Sequence, residues 1–98
     1  MASSTDYLEF VLENLCLVDG ISFRKMMGEY IIYRYGKVIG GIYDNRFLIK
    51  PTKRVEERIK NIQYEIPYKS GKPMILVDEI ENREFLKEIV EITYENLR

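Results

Sequence analysis

The pattern of hydrophobic and polar positions gives the chain two helical ends. Near the N-terminus, apolar residues recur at spacings of three and four, which predicts one face of an amphipathic helix. These positions are Leu8, Val11, Leu12 and Leu15. Ser4 or Thr5 is the predicted cap, and Asp19-Gly20 is the predicted end. A second apolar face runs from Phe85 to Leu97 after a predicted cap at Asn82.

Between the helices, apolar and aromatic residues come in short runs that predict strands. The runs are residues 21–27, 29–35, 37–43 and 46–50, followed later by 74–77. Gly28, Gly36 and Asp44-Asn45 separate the first four. Because such connections are so short, neighbouring strands must be antiparallel.

A short charged helix, residues 53–60, is predicted after the fourth strand, with Thr52 as its cap. Residues 64–72 read as a loop. The order of elements predicts an α+β fold in a single domain over residues 1–98. We expect an antiparallel β-meander of about four to five strands, packed with N- and C-terminal amphipathic helices.

Both faces of the predicted sheet carry apolar side chains, which differs from a sheet with one solvated side. In the second strand, Tyr30 and Ile32 alternate with Ile31 and Tyr33. Either helices cover both faces, or one face is buried against a partner. The third strand has no side chains at Gly40 and Gly41. This predicts a bulge or the close approach of a backbone or an aromatic ring.

The amino-acid composition excludes several types of catalytic and metal site. The 98 residues include no histidine, which excludes Ser-His-Asp and Cys-His catalysis and argues against a zinc site. We identify no catalytic residues and expect no metal and no cofactor. A single cysteine, Cys16, can form no internal disulfide, which favours the cytoplasm. We expect it to lie half-buried in the last turn of the first helix. No apolar run is long enough to span a membrane.

Charge is distributed unevenly along the chain. Residues 21–72 contain twelve basic and five acidic side chains, a net charge of +7, whereas the remaining residues together carry −8. Two interpretations stay open. Acidic helices compensate a basic sheet locally, or the basic stretch binds a polyanion such as a nucleic acid.

Three blocks of the middle region carry a family resemblance: residues 24–33 (RKMMGEYIIY), 36–40 (GKVIG) and 44–50 (DNRFLIK). Their order and spacing resemble the N-terminal domain of TfoX, the regulator of bacterial competence, over nearly the whole chain. Met27 stands where that family usually has Phe, and Glu29 where it usually has Gly. The resemblance implies a compact α+β domain of a regulator without agreed catalytic residues. Because the chain ends at Arg98, we expect a stand-alone N-terminal-type domain that lacks the C-terminal domain.

Two sets of candidate site residues follow. Arg24, Lys25, Gly28 and Lys50 could contact an anion. The second set is aromatic and could form an interaction surface: Tyr30, Tyr33, Tyr43, Tyr64 and Tyr68.

The preferred hypothesis is a non-enzymatic module that binds a protein partner or forms a homodimer. Nucleic-acid binding through residues 21–72 is one alternative. A small-molecule or phosphate site that uses Lys25, Lys50 and tyrosines around a cleft is another.

Overall fold

A computed structural model describes residues 3–97 and shows one six-stranded sheet and three helices. The helices are α1 (Thr5–Asn14), α2 (Lys53–Arg58) and α3 (Arg83–Glu95). The strands are β1 (Ile21–Met26), β2 (Glu29–Arg34), β3 (Lys37–Ile42), β4 (Phe47–Ile49), β5 (Tyr64–Glu65) and β6 (Met74–Val77). Their order in the sheet is β1-β2-β3-β4-β6-β5, and every pair is antiparallel. The predicted α+β class is confirmed, with slightly more strands than expected.

Two-residue turns build the first four strands into a meander. The turns are Met27-Gly28, Tyr35-Gly36 and Asp44-Asn45, and all six residues have φ between 48° and 84°. Two consecutive residues of positive φ form the type I′ turn, whose twist matches that of the flanking strands. All three predicted turn positions are therefore confirmed.

A β-bulge interrupts the pairing of β2 with β3. Ile32 pairs with Gly40 and Tyr33 with Val38, so Ile39 is the additional residue on β3. At a bulge, the strict alternation of side chains between the two faces is interrupted, so the extra residue can share a face with the residue next to it. Ile39 accordingly lies fully buried in the core, although strict alternation would place it on the other face.

The core lies on one face of the sheet. Leu8, Val11 and Leu15 from the α1 region, Val55 from α2 and the buried side of α3 form one cluster with sheet residues. Those sheet residues are Tyr30, Ile32, Ile39, Ile42, Phe47, Ile49, Ile75 and Val77. The helices therefore cover a single face, which excludes the arrangement in which helices cover both.

The caps are as predicted, whereas several element boundaries are not. The side chains of Ser4, Thr52 and Asn82 each accept a hydrogen bond from a backbone N–H of the first turn that follows. However, α1 ends at Asn14 rather than at Asp19-Gly20. Leu15 and Val18 continue the apolar pattern in a non-helical turn, because burial does not require helical geometry there.

Two local predictions were wrong. Cys16, expected to be half-buried at the end of α1, is exposed. Tyr64–Glu65, expected to be loop, forms β5 by pairing with Ile75 and Met74 of β6. The free edge of β6 accepts this short strand, and only the assembled sheet provides that edge.

Candidate functional site

The side of the sheet opposite the helices, here called the open face, is the best candidate for a functional surface. Side chains of paired residues point to the same side, so the register defines it. One row across the sheet is Ile31, Gly41, Leu48 and Leu76, and Tyr33 and Val38 form the next. Within residues 3–97, no helix covers this face.

Side chains on the open face are buried to different extents. Leu48 is fully buried yet does not belong to the core cluster on the helix side. Pro67 is also buried, and it belongs to the connection between β5 and β6, residues 66–73. Ile31, Tyr33 and Val38, farther toward β1, are only half-buried. Residues 66–73 therefore shield the sheet at Leu48, whereas Ile31 and Tyr33 on β2 and Leu76 on β6 stay partly exposed.

A cleft of about 580 Å³ lies where residues 66–73 meet the open face. Val38, Pro51, Met74 and Leu97 are among its lining residues. Its remaining lining residues are Tyr43, Lys50, Pro67, Tyr68, Ser70, Gly71, Lys72 and Pro73. We call this site the tyrosine-lysine cleft.

Tyr43 is fixed against the sheet by the glycine beside it. A Cβ atom on Gly41 would lie 2.6 Å from Cε2 of Tyr43, so the ring occupies the space of the absent side chain. This packing raises the pKa of the Tyr43 phenol, mainly through burial and further through Tyr68 and Glu29. The Tyr43 hydroxyl therefore stays protonated, and can donate a hydrogen bond, throughout the neutral range.

The structure does not gather the predicted anion-binding residues. Arg24 pairs with Ile31 and lies on the open face, whereas Lys25 pairs with Tyr30 and points to the helix side. Gly28 is a turn residue whose carbonyl accepts a hydrogen bond from the Ser3 amide. Lys50 lies three strands from Arg24, on the order of 14 Å across the sheet. Of the four, only Lys50 lines the cleft.

The five tyrosines predicted to form an interaction surface are likewise not brought together. Tyr43 and Tyr68 line the cleft with ring centroids 6.1 Å apart, and Tyr33 lies on the open face. Tyr30 is only 5% exposed and packs in the core, so its ring is not available to a partner. Tyr64, next to β6 at the sheet's edge, donates a hydrogen bond to Glu56 of α2.

The other exposed feature is β1, an edge strand. It pairs only with β2, and five of its six residues are exposed. Phe23 and Met26 are 47% and 48% exposed, and Met27 in the adjoining turn is 97% exposed. A long, exposed edge with apolar side chains is a template for pairing with another chain.

Ion pairs neutralise part of the basic stretch. Arg34 lies 3.8 Å from Glu91, Arg46 lies 2.7 Å from Glu65, and Arg58 lies 2.6 Å from Glu88. Two of these carboxylates come from the acidic helix α3, in line with local compensation. Within the described part of the chain, Arg24, Lys25 and Lys50 form no such pair. Nucleic-acid binding stays a prediction.

Two further observations concern the described residues only. Between residues 3 and 97, no three His, Cys, Asp or Glu side chains are grouped so that they could hold a metal ion. None of the helices in that range has the length and apolar composition needed to cross a membrane.

Comparison with known proteins finds a relative in Spirochaeta aurantia, the "Uncharacterized 12.7 kDa protein in trpE 5'region". The two are 32% identical over 80 residues, which is 82% of this chain and 70% of the relative. The chain belongs to the family of this protein. No family model matches the sequence, so membership of the TfoX N-terminal family stays a prediction.

Of the twelve described residues that line the cleft, only Tyr43, Lys50 and Tyr68 were named from the sequence. Val38, Pro67, Lys72, Met74 and Leu97 line it although they come from four separate parts of the chain. The available signal was the loop sequence PYKSGK at residues 67–72, in which one tyrosine precedes two lysines. Its position over β4 depends on the pairing of β5 with β6, which was not predicted.

Proposed function

We propose that this chain is a non-enzymatic interaction module that binds an acidic, extended segment of a partner protein along β1. The observation that carries the proposal is the free edge of β1. An extended segment adds to such an edge as a further strand, gaining affinity from main-chain hydrogen bonds and specificity from side chains.

The backbone of β1 offers alternate residues to such a strand. The Gly20 carbonyl accepts a hydrogen bond from the Tyr35 amide at 2.8 Å. Hydrogen-bonded pairs alternate with non-hydrogen-bonded pairs in an antiparallel ladder. The N–H and C=O groups of Ile21, Phe23 and Lys25 therefore point away from β2, toward the free edge.

Side chains on the same hairpin supply apolar contacts. Phe23 makes an edge-on contact with Tyr30 at a centroid distance of 6.0 Å, yet remains 47% exposed. Met26 and Met27 extend the apolar surface to the tip of the hairpin. Methionine adapts to partners of varied shape, which suits an interaction surface.

Charge indicates the chemistry of the partner. Residues 21–26 contain Arg24 and Lys25 and no acidic residue. The carboxylates of an acidic strand would attract whichever of the two cations lies on the same face of the sheet. A second copy of β1 would instead bring the same two cations to the other side of the pair, where like charges repel. We therefore favour a different protein over a homodimer.

The resemblance to TfoX N-terminal domains supports a regulatory role for this binding, linked to transcription or competence. The lone cysteine, which can form no internal disulfide, supports a cytoplasmic location.

Backbone amide NMR with two synthetic peptides tests the proposal. One peptide alternates Glu and Val, and its control alternates Lys and Val. We expect saturable shifts of the Ile21, Phe23 and Lys25 amides with the acidic peptide and none with the basic one. Equal shifts with both peptides, or no shifts with either, would overturn the proposal.

Two substitutions of Lys25 distinguish the contribution of its backbone amide to binding from the contribution of its side-chain charge. Lys25→Pro removes an amide that points to the free edge, where proline is tolerated, so the fold should persist and binding should be lost. Lys25→Gln keeps the amide and should weaken binding only in part.

Light scattering after size-exclusion chromatography tests whether the chain forms a homodimer. A dimer that Lys25→Pro dissociates would show that a second copy occupies the edge and would refute the acidic partner.

A further inference from the structure

The tyrosine-lysine cleft has a distinct electrostatic character. Among the described residues, its lining includes two lysines, Lys50 and Lys72, and no acidic residue. Lys50 follows β4 and is half-buried, whereas Lys72 lies on the loop above and is exposed. Two lysines beside one concave site attract a ligand with more than one negative charge.

Two aromatic residues, Tyr43 and Tyr68, line the cleft. The rings of Tyr43 and Tyr68 are inclined at 57° with centroids 6.1 Å apart. They are not stacked face to face, so an aromatic ligand can lie against one ring without separating a stacked pair. Stacking on tyrosine accepts any planar base, because every base has a π-face.

A tight turn holds the exposed wall in place. The Gly71 amide donates to the Tyr68 carbonyl at 2.8 Å. A Cβ atom at Gly71 would lie 3.0 Å from Cγ of Pro67 and 3.1 Å from Cε2 of Tyr68. Because the turn is close-packed and Pro67 is buried, the backbone that carries Tyr68 is held in place, while its ring is 60% exposed and open to a ligand.

The size of the cleft suits a small organic molecule. Its volume of about 580 Å³ falls within the range of about 300–1,000 Å³ that small-molecule sites occupy. Such sites combine apolar walls with a few polar groups. Val38, Pro73 and Met74 provide the apolar part here.

We infer that the tyrosine-lysine cleft binds a small phosphate monoester that carries a planar ring, of the nucleoside monophosphate class. A phosphate monoester has a charge of about −1.5 to −2 at neutral pH, which matches two lysines better than a single carboxylate does. Lysine binds phosphate as a point charge. The phosphate lies between Lys50 and Lys72, and the base lies against Tyr43 or Tyr68. This site is separate from the β1 edge, so each proposal stands or fails alone.

Isothermal titration calorimetry with the full chain tests the inference. The probes are AMP, GMP, CMP and UMP, with adenosine and inorganic phosphate as partial ligands. We expect at least one monophosphate to bind at least about tenfold more tightly than adenosine and than phosphate, since only the monophosphates engage both parts of the cleft. No heat from any monophosphate up to about 1 mM would overturn the inference, since weaker binding is not that of a built site. Equal affinity for adenosine or for phosphate alone would also overturn it.

Lysine variants locate the site. Lys50→Gln and Lys72→Gln should each weaken binding by about fivefold or more, because each removes one charged contact. Lys69→Gln is the matched control, since Lys69 lies on the same loop but does not line the cleft. Tyr68→Leu should also weaken binding, and circular dichroism verifies that each variant folds. An equal loss in Lys69→Gln would show non-specific surface attraction and refute the site.

Discussion

Gly40 and Gly41 show how single residues shape this sheet. The sequence predicted that a backbone or an aromatic ring approaches this pair closely, and the structure confirms both. A Cβ atom at Gly40 would clash with the Leu48 carbonyl oxygen and would lie 2.8 Å from Cα of Ile49. At Gly41, the atoms nearest to an added Cβ belong to the Tyr43 ring.

The two glycines should therefore respond differently to alanine. Gly40→Ala meets backbone that cannot move, and we expect a loss of at least about 3 kcal/mol in the free energy of unfolding. Gly41→Ala displaces a side chain instead and should cost about 1–2 kcal/mol. Urea denaturation of both variants measures the difference. A greater loss for Gly41→Ala would contradict the assignment of these contacts.

Glu29, unlike the two glycines, has a role that only the structure reveals. Its carboxylate accepts a hydrogen bond from the Ser3 hydroxyl at 2.6 Å and others from the Asp44 amide at 3.2 Å. The Ser3 hydroxyl in turn accepts from the Asn45 amide at 3.0 Å. One carboxylate thus joins the chain's beginning to the β3–β4 turn.

At the scale of elements, the β1–β2 hairpin is the least protected part of the sheet. Its turn places Met27 at a φ of 52°, a conformation that costs most side chains free energy. The Met27 side chain is also 97% exposed. Nothing in the hairpin's own packing accounts for methionine at this position, whereas a partner on β1 would.

Met27→Asn tests that interpretation. Asparagine tolerates positive φ, so the variant should raise the free energy of unfolding by about 0.5–1 kcal/mol. The same variant should weaken binding of the acidic peptide, because it removes apolar contact. Thermal unfolding and the NMR titration measure the two effects. Lower stability, or unchanged peptide binding, would contradict a binding role for Met27.

At the scale of the whole molecule, the two faces of the sheet are covered differently. The helices cover one face, residues 66–73 cover part of the other, and β1 has five exposed residues at one edge. Strands in the centre are held on both sides, whereas β1 and β5 are held on one. Local stability should therefore fall from the centre of the sheet to its edges.

Amide hydrogen exchange measures this gradient. We expect the slowest exchange in β3 and β4, at the rate of global unfolding. Amides of Ile21, Phe23 and Lys25 should exchange at least about a thousandfold faster, since they point to the free edge. Slow exchange at these three positions would mean that the edge is covered in solution, as in a homodimer.

The fold was largely predictable because its signals are local. Caps at Ser4, Thr52 and Asn82 and the turn at Asp44-Asn45 depend on residues close in sequence. The candidate site was predictable only in part. Lys50, Tyr43 and Tyr68 were named as candidates, but so were Tyr30, which is buried, and Lys25, which points to the other side. Lys72 was not named.

The sequence by itself determined the helices, the strands of the meander, their antiparallel pairing and the presence of apolar side chains on both faces. These features follow from periodicity and turn chemistry, which act over a few residues. Only the tertiary structure decided that the helices share one face, that Ile39 joins the core through a bulge, and that residues 66–73 close a cleft over the other face. Each of these depends on contacts between segments distant in the chain, where register and packing select among patterns that the sequence allows equally.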